Sequence, residues 1–333
     1  MKHLCIINPK AGLVSGHVDE FVDEIKDFFA RNPRMDYAFH VTRWKRDASG
    51  FSMRYVKNAS EIVRIYIFGG GGTLFEVING VVGLPNVQVA YYPLGKDNDL
   101  LTVFGKDSYS AFRSMRNLSL SPAIPVDTIL AGNHYFISNV HIGIGAFSFL
   151  LGEKLSKQFR LPIVFCYISA AFYYAFLKKT IRFYHIEMDN TELNDYYIGI
   201  FIANIPGTGI GVNAPEAQFN DGYMDMYVIL PTPRNLVLKV LMGFQNCEYD
   251  KWPDYIHHYR CKKVKIVSPS DMTMIFDGEV FYNKELLFEI KPSSVNLVCP
   301  MDIDRIAVLP SPSDSVPQEE FSLQDFMANG GES

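Results

Sequence analysis

Residues 62–68 read IVRIYIF, an apolar run of strand length, and four glycines, Gly69-Gly70-Gly71-Gly72, follow it directly. Residues 73–82 (TLFEVINGVV) then read as a helix. A strand that stops at consecutive glycines and restarts as a helix limits the fold more than any other feature of the chain. Without Cβ atoms the backbone turns tightly and lets a ligand come close. The N-terminus of the following helix offers free N–H donors and the positive end of its dipole, which suit a phosphate group. The loop is neither GxxxxGK[ST] nor GxGxxG. A P-loop enzyme and a nicotinamide dehydrogenase are therefore not the first choices.

The same alternation surrounds the loop. Residues 4–7 (LCII) form a short apolar strand ending at the turn-rich Asn8-Pro9-Lys10-Ala11-Gly12. Val18, Phe21, Val22, Ile25, Phe28 and Phe29 recur with helical spacing. Strands follow at 37–41 and 87–92, the latter broken at Pro93. This predicts an α/β nucleotide-binding domain over 1–124, with a mainly parallel sheet. From 125 to 300 the texture is β-rich: 126–131, 135–139, 182–188, 196–203, 223–229, 264–268, 273–276 and 285–290 read as short strands. Helical stretches near 150–180 and 234–250 interrupt them. A largely antiparallel sandwich is expected for this second domain. Residues 301–333 are expected to return to the first domain and then trail off as a tail.

Composition narrows the function. Charged residues are 20% and the formal net charge is −5, so the chain as a whole has no nucleic-acid signature. The five cysteines are scattered without CxxC spacing, and no signal peptide is evident at MKHLCIINPKAG; reduced thiols in the cytoplasm are expected. Residues 161–177 (LPIVFCYISAAFYYAFL) carry no charge but reach only about 25 Å as a helix, short of a hydrocarbon core of about 30 Å. Lys154, Lys157, Arg160, Lys178, Lys179 and Arg182 flank this stretch. They suit contact with an anionic leaflet, and equally a solvated helix with basic ends.

The ordered motifs resemble the diacylglycerol kinase catalytic family, which includes sphingosine and ceramide kinases and is more distantly similar to NAD kinase and 6-phosphofructokinase. Gly69–Thr73 with Leu74 and Glu76 is similar to its GGDGT motif, and Asn8–Gly12 to its NPxSG loop. Thr42 with Asp47-Ala48, and Pro93-Leu94-Gly95 with Asn98-Asp99, resemble two further segments. So do Asn204 with Gly207, Gly209 and Gly211, then Ala214-Pro215 with residues 221–225 (DGYMD), and Asp277-Gly278-Glu279. These elements run in family order over residues 4–300.

The resemblance implies an ATP- and Mg²⁺-dependent lipid kinase, cytoplasmic and peripheral to the inner face of the membrane. Asn8, Pro9, Lys10, Ala11, Gly12, Thr42, Gly70, Gly71, Gly72, Thr73, Glu76 and Lys96 would hold the nucleotide. Asp99 and Asp127 would belong to the catalytic Mg²⁺ network. Asp221, with the carbonyls of Gln218 and Tyr223, would hold a second, structural metal. Glu279 would be the general base, beside Asp277. The chain departs from the family at the nucleotide site: Gly71 stands where GGDGT has Asp, Lys96 and Asp97 replace small residues, Ala11 replaces Ser, and Phe75 replaces Asn. Two other readings stay open: a soluble-substrate kinase of the NAD kinase type, and a catalytically weak lipid- or nucleotide-binding protein, which Gly71 favours. The sequence leaves a homodimer open.

Overall fold

The computed structural model describes residues 1–12, 16–95, 98–105, 108–159, 169, 172, 181–208, 211–212 and 214–300. Strands β1 (Lys2–Ile7), β2 (Asp36–Val41), β3 (Val63–Gly69) and β4 (Val87–Pro93) run parallel in the order β4-β3-β1-β2. Strands β1, β3 and β4 are buried almost throughout because both faces are covered, as expected of parallel sheets, while the edge strand β2 has no fully buried residue. Helix α1 (Val18–Ala30) buries Ile25 and Phe29, and Phe29 stacks on Tyr37 at 4.5 Å. Truncating Phe29 to alanine would cost about 3–5 kcal/mol.

Helix α2 (Asp47–Lys57) has no counterpart in the sequence reading. It buries Asp47, Ala48, Ser52 and Val56, so it lacks the apolar stripe that marks a helix. It packs closely on α3 (Gly71–Val81): a Cβ at Gly80 would lie 2.6 Å from the Ser49 carbonyl oxygen. After a 3₁₀ turn (Asp99–Phe104), α4 (Tyr109–Phe112) and α5 (Met115–Leu120) lead into the second half. The buried Arg64 guanidinium donates to the Leu118 and Ser119 carbonyls at 2.6 and 2.8 Å, satisfying the end of α5.

The second half holds β5 (Ala123–Ala131), β6 (His134–Phe136), β7 (Asn139–Gly143), α6 (Ile144–Phe159), β8 (Arg182–Met188), β9 (Thr191–Tyr197) and β10 (Gly199–Ala203). A small ribbon, β11 (Gly207–Thr208) with β12 (Gly211–Val212), follows. Then come β13 (Met224–Ile229), α7 (Val237–Gln245), β14 (Ile256–Cys261), β15 (Lys263–Phe276) and β16 (Glu279–Val298). Pairing within this half is antiparallel.

The two halves share one hydrogen-bonded sheet, fourteen-stranded among the described residues. Strand β16 makes the join. Its first part pairs with β15 (Glu279 to Glu289), its second part with β5 (Phe288 to Val298), and Leu297 pairs in parallel with Val89 of β4. Residues 295–298 thus return to the first half ahead of the segment expected to do so, 301–333, which lies outside the described residues. Val126, Ile137, Phe219, Val295 and Leu297 accordingly belong to the core built around β1, β3 and β4. Asn79 of α3 adds a second join, acting as a piece of backbone: its amide donates to the Tyr135 carbonyl at 2.6 Å and accepts from the Tyr135 N–H at 2.8 Å.

Candidate active site

All four parallel strands end on the same side, so their following loops gather there. In open α/β sheets ligands bind outside the carboxyl ends of the strands, where the order reverses. Here the reversal falls between β1 and β3. The loops after these strands are tied together: Asn8 Nδ2 donates to Thr73 Oγ1 at 3.0 Å. Asn8 Oδ1 accepts from the Lys10 N–H at 3.0 Å, an Asx turn that shapes the 8–12 loop. Pro9 lies in that loop, Ala11 is buried and Gly12 is exposed. The Thr42 N–H bonds to the Ile7 carbonyl at 2.9 Å, which brings the loop after β2 alongside.

The four glycines differ in what surrounds them. A Cβ at Gly69 would sit 2.5 Å from Thr73 Oγ1, and one at Gly70 would lie 3.4 Å from Gly95 Cα. Only Gly69 is demanded by packing; the contact at Gly70 is an ordinary one. A Cβ at Gly71 would find only the Asp277 carbonyl oxygen, at 4.0 Å, and one at Gly72 nothing within 4 Å. Side chains are therefore missing where packing does not require it, at the first two residues of α3. Gly70, the N-cap, has no side chain to satisfy the helix N–H groups. The helix start is therefore bare, as a site that holds an anion through backbone N–H groups requires.

Glu76, expected at the nucleotide, engages the backbone ahead of and within α2. Its carboxylate accepts from the N–H groups of Arg46 (2.8 Å) and Ala48 (3.3 Å), capping α2, and so fixes the 42–47 loop. Arg46 holds a left-handed φ of 68°, and the buried Asp47 accepts from the Arg43 N–H and pairs with His40.

The Asp277-Gly278 turn between β15 and β16 meets the start of α3. Both residues have positive φ (49° and 77°), the geometry of a tight two-residue hairpin. The half-buried Asp277 carboxylate accepts from the N–H groups of Ile137 and Ser138 and from the Ser138 hydroxyl. Burial pushes its carboxyl up to about 6, against the pull of those hydrogen bonds. Asp277 thus braces the turn between β6 and β7. Glu279, two residues on, is partly exposed and pairs with Lys45 at 2.5 Å. His134 lies close by, with its ring stacked on Phe75 at 6.0 Å and edge-on to Phe281 at 5.2 Å. Burial lowers its pKa, and the Arg46 charge adds to that while Glu279 opposes it. Lys45 and His134 carry no sequence motif; only the pairing of distant loops reveals them.

The carboxylates expected to hold metals are placed as follows. Asp99 opens the 3₁₀ turn, and its charge, with that of Asp277, adds to the burial that raises the Tyr91 phenol. Asp127 lies on β5, 1% exposed, with its two oxygens accepting from the N–H groups of Gly222 (2.7 Å) and Ser293 (2.8 Å). Asp221 accepts from the Tyr223 N–H at 2.9 Å and pairs with Arg260 at 2.5 Å; burial raises its pKa, while the Tyr223 N–H and the Arg260 charge oppose this. Tyr223 lies in the same turn, and the half-buried Gln218 precedes it in the chain. Lys96 and Asp97 lie outside the described residues. Among the described residues, no three His, Cys, Asp or Glu side chains converge to hold a metal. The set does not fit a protein-built magnesium cage. An ion carried by nucleotide phosphates would need only one or two protein carboxylates and waters.

An α/β layer joined to an antiparallel, β-rich half is the two-part fold expected from the sequence. The comparisons make it specific. Residues 2–130 match the family model "Diacylglycerol kinase catalytic domain", and residues 157–299 match "YegS C-terminal NAD kinase beta sandwich-like domain". Residues 2–130 thus carry the diacylglycerol kinase catalytic domain and residues 157–299 the YegS-type C-terminal domain. It is 25% identical over 252 residues to a "Probable lipid kinase YegS-like" of Shewanella frigidimarina, covering 73% of this chain and 78% of that one. It is 24% identical over 282 residues to a "Diacylglycerol kinase" of Staphylococcus aureus, covering 82% and 84%. A crystal structure of a diacylglycerol kinase from Bacillus anthracis superposes with a TM-score of 0.66 at 20% identity, covering 91% of this chain and 98% of that one.

Among the described residues no helix is long and apolar enough to cross a membrane. The apolar stretch 161–177 lies outside them apart from Ser169 and Phe172, as do Arg160, Lys178 and Lys179 of the basic set.

Proposed function

We propose that the chain is an ATP-dependent lipid kinase that phosphorylates a hydroxyl of a diacylglycerol or sphingoid-type lipid at a membrane surface. One observation carries this reading. The hairpin bearing Glu279 meets the bare start of α3, with the Asp277 carbonyl 4.0 Å from the position a Gly71 Cβ would take. An acceptor hydroxyl at Glu279 would then lie beside phosphates bound at Gly71 and Gly72.

In this scheme the loops at Asn8–Gly12, Thr42 and Gly70–Thr73 bind ATP through backbone N–H groups. Magnesium bound to the nucleotide would supply charge neutralisation, with Asp99 as its protein ligand. Glu279 takes the proton of the lipid hydroxyl as its oxygen bonds to the γ-phosphorus, and the bond to the bridging oxygen breaks to release ADP. The names of the relatives agree with a lipid acceptor. A second reading, a weakly active member, rests on Gly71, which offers the site neither charge nor ligand.

The experiment is transfer of radiolabelled phosphate from ATP to a panel of diacylglycerols and sphingoid bases in mixed micelles. Glu279→Gln serves as the control.

A further inference from the structure

We infer that the Asp221 corner is held by a cation of the protein's own, the Arg260 guanidinium, and takes no divalent ion. This inference stands apart from the kinase reading, because the corner is built from β5, β13, β14 and β16 and does not include the glycine loop.

The corner is clamped on both sides. The Asp127 N–H donates to the Phe219 carbonyl at 2.6 Å, and its carboxylate holds the N–H groups of Gly222 and Ser293. Gly222 and Ser293 both have positive φ (76° and 50°), so the carboxylate fastens two sharp turns at once. Asp221 is the remaining acid of the turn, and its two oxygens are engaged: Oδ1 by the Tyr223 N–H, Oδ2 by Arg260. The strand register sets up this second contact. Arg260 lies opposite Asp225 across the β13–β14 pair. Asp225 takes His258 as its partner at 2.7 Å, which leaves Arg260 to reach Asp221. The Arg260 guanidinium also lies over the Tyr223 ring at 4.4 Å, and the Lys262 ammonium approaches the same ring at 4.8 Å.

A divalent ion on Asp221 would have to displace a charge-assisted hydrogen bond. It would then sit beside two positive side chains. Arginine loses no charge at any working pH and presents a planar fork, so it substitutes for a bound cation without depending on supply. The residues present therefore do not fit the structural metal expected of Asp221, Gln218 and Tyr223.

The test uses the full chain, chelator-treated and free of nucleotide. Elemental analysis should find well under one divalent ion per chain, and melting should be unchanged by a chelator or by added Mg²⁺ or Ca²⁺. Arg260→Met and Asp221→Asn should each lower the melting temperature by several degrees. The double variant should melt no lower than the worse single, because each single strands a charge that the double removes. If Arg260→Met does not fold, Arg260→Lys in the same cycle reads the pair. A tightly held ion whose removal lowers the melting temperature would overturn the inference, and so would strictly additive effects of the two substitutions.

Discussion

Lys45, in the loop after β2, places its ammonium 2.5 Å from the carboxylate of Glu279, the first residue of β16. The pair joins the two halves of the chain across the mouth of the site. Its side chains are 68% and 29% exposed, so it adds only about 0–1 kcal/mol of stability. Its effect is positional, because Glu76 pins the loop that carries Lys45. Lys45→Met should leave the melting temperature within about 2 °C of the parent, since little stability is at stake. It should lower kcat about tenfold or more by loosening the proposed base. Steady-state kinetics beside a thermal melt checks this; an unchanged kcat removes Lys45 from the mechanism.

Asp277 gives a pH signature in stability. Its folded pKa, about 6, lies above the ordinary carboxylate value of 3.8, so the folded state holds the extra proton between those limits. Stability from this group is full below about pH 4 and is lost as pH rises through 6, by the linkage between bound protons and folding. The loss is on the order of 2–3 kcal/mol. Asn tolerates the positive φ of this position. Asp277→Asn should therefore flatten the stability profile between pH 4 and 6 relative to the parent. Denaturant melts at four pH values show it; parallel profiles for both proteins count against the assignment.

Much of this arrangement could be read in the sequence, and the rest could not for definite reasons. The strand–glycine–helix unit at 62–82 was visible because apolar runs and glycines mark it locally. Helix α2 was not, because its buried face is Asp47, Ala48, Ser52 and Val56. Strands β9 (TELNDYY) and β14 (IHHYRC) were missed because polar and charged side chains dilute their alternation. The cap made by Glu76 and the Lys45 and Arg260 pairs depend on contacts between segments far apart in the chain. The two-half plan was legible; the long β16 that fuses the halves into one sheet was read only as 285–290.

Gly71 tests the magnesium side. The space at its Cβ position is open, so Gly71→Asp should fold normally, and an acid at the start of α3 gains about 0.3–1 kcal/mol from the helix dipole. It should also lower the Mg²⁺ concentration needed for half-maximal rate. Asp97, which also departs from the family pattern, offers a carboxylate in place of the one Gly71 lacks; if it supplies that charge the parent is active and Asp97→Gly silences it. Magnesium titrations of the three proteins decide the matter. A silent parent revived by Gly71→Asp favours the weakly active reading.

The membrane surface is tested with vesicles. Charge reversal at Lys178 and Lys179 should weaken binding to anionic vesicles, and added salt should do the same, because exposed charges are screened over about 10 Å at 0.1 M. Co-sedimentation at low and high salt measures it. Binding that ignores both salt and the substitutions contradicts an electrostatic contact.

Transfer of labelled phosphate from ATP to a lipid hydroxyl, compared between the parent and Glu279→Gln, tests the central claim most directly. The account predicts a labelled lipid phosphate from the parent, a loss of about 10²–10⁴ in kcat for the variant, as expected when a positioned base is removed, and ATP affinity changed less than twofold. No labelled lipid from the parent under any magnesium or lipid condition, or equal turnover by the two proteins, would contradict it.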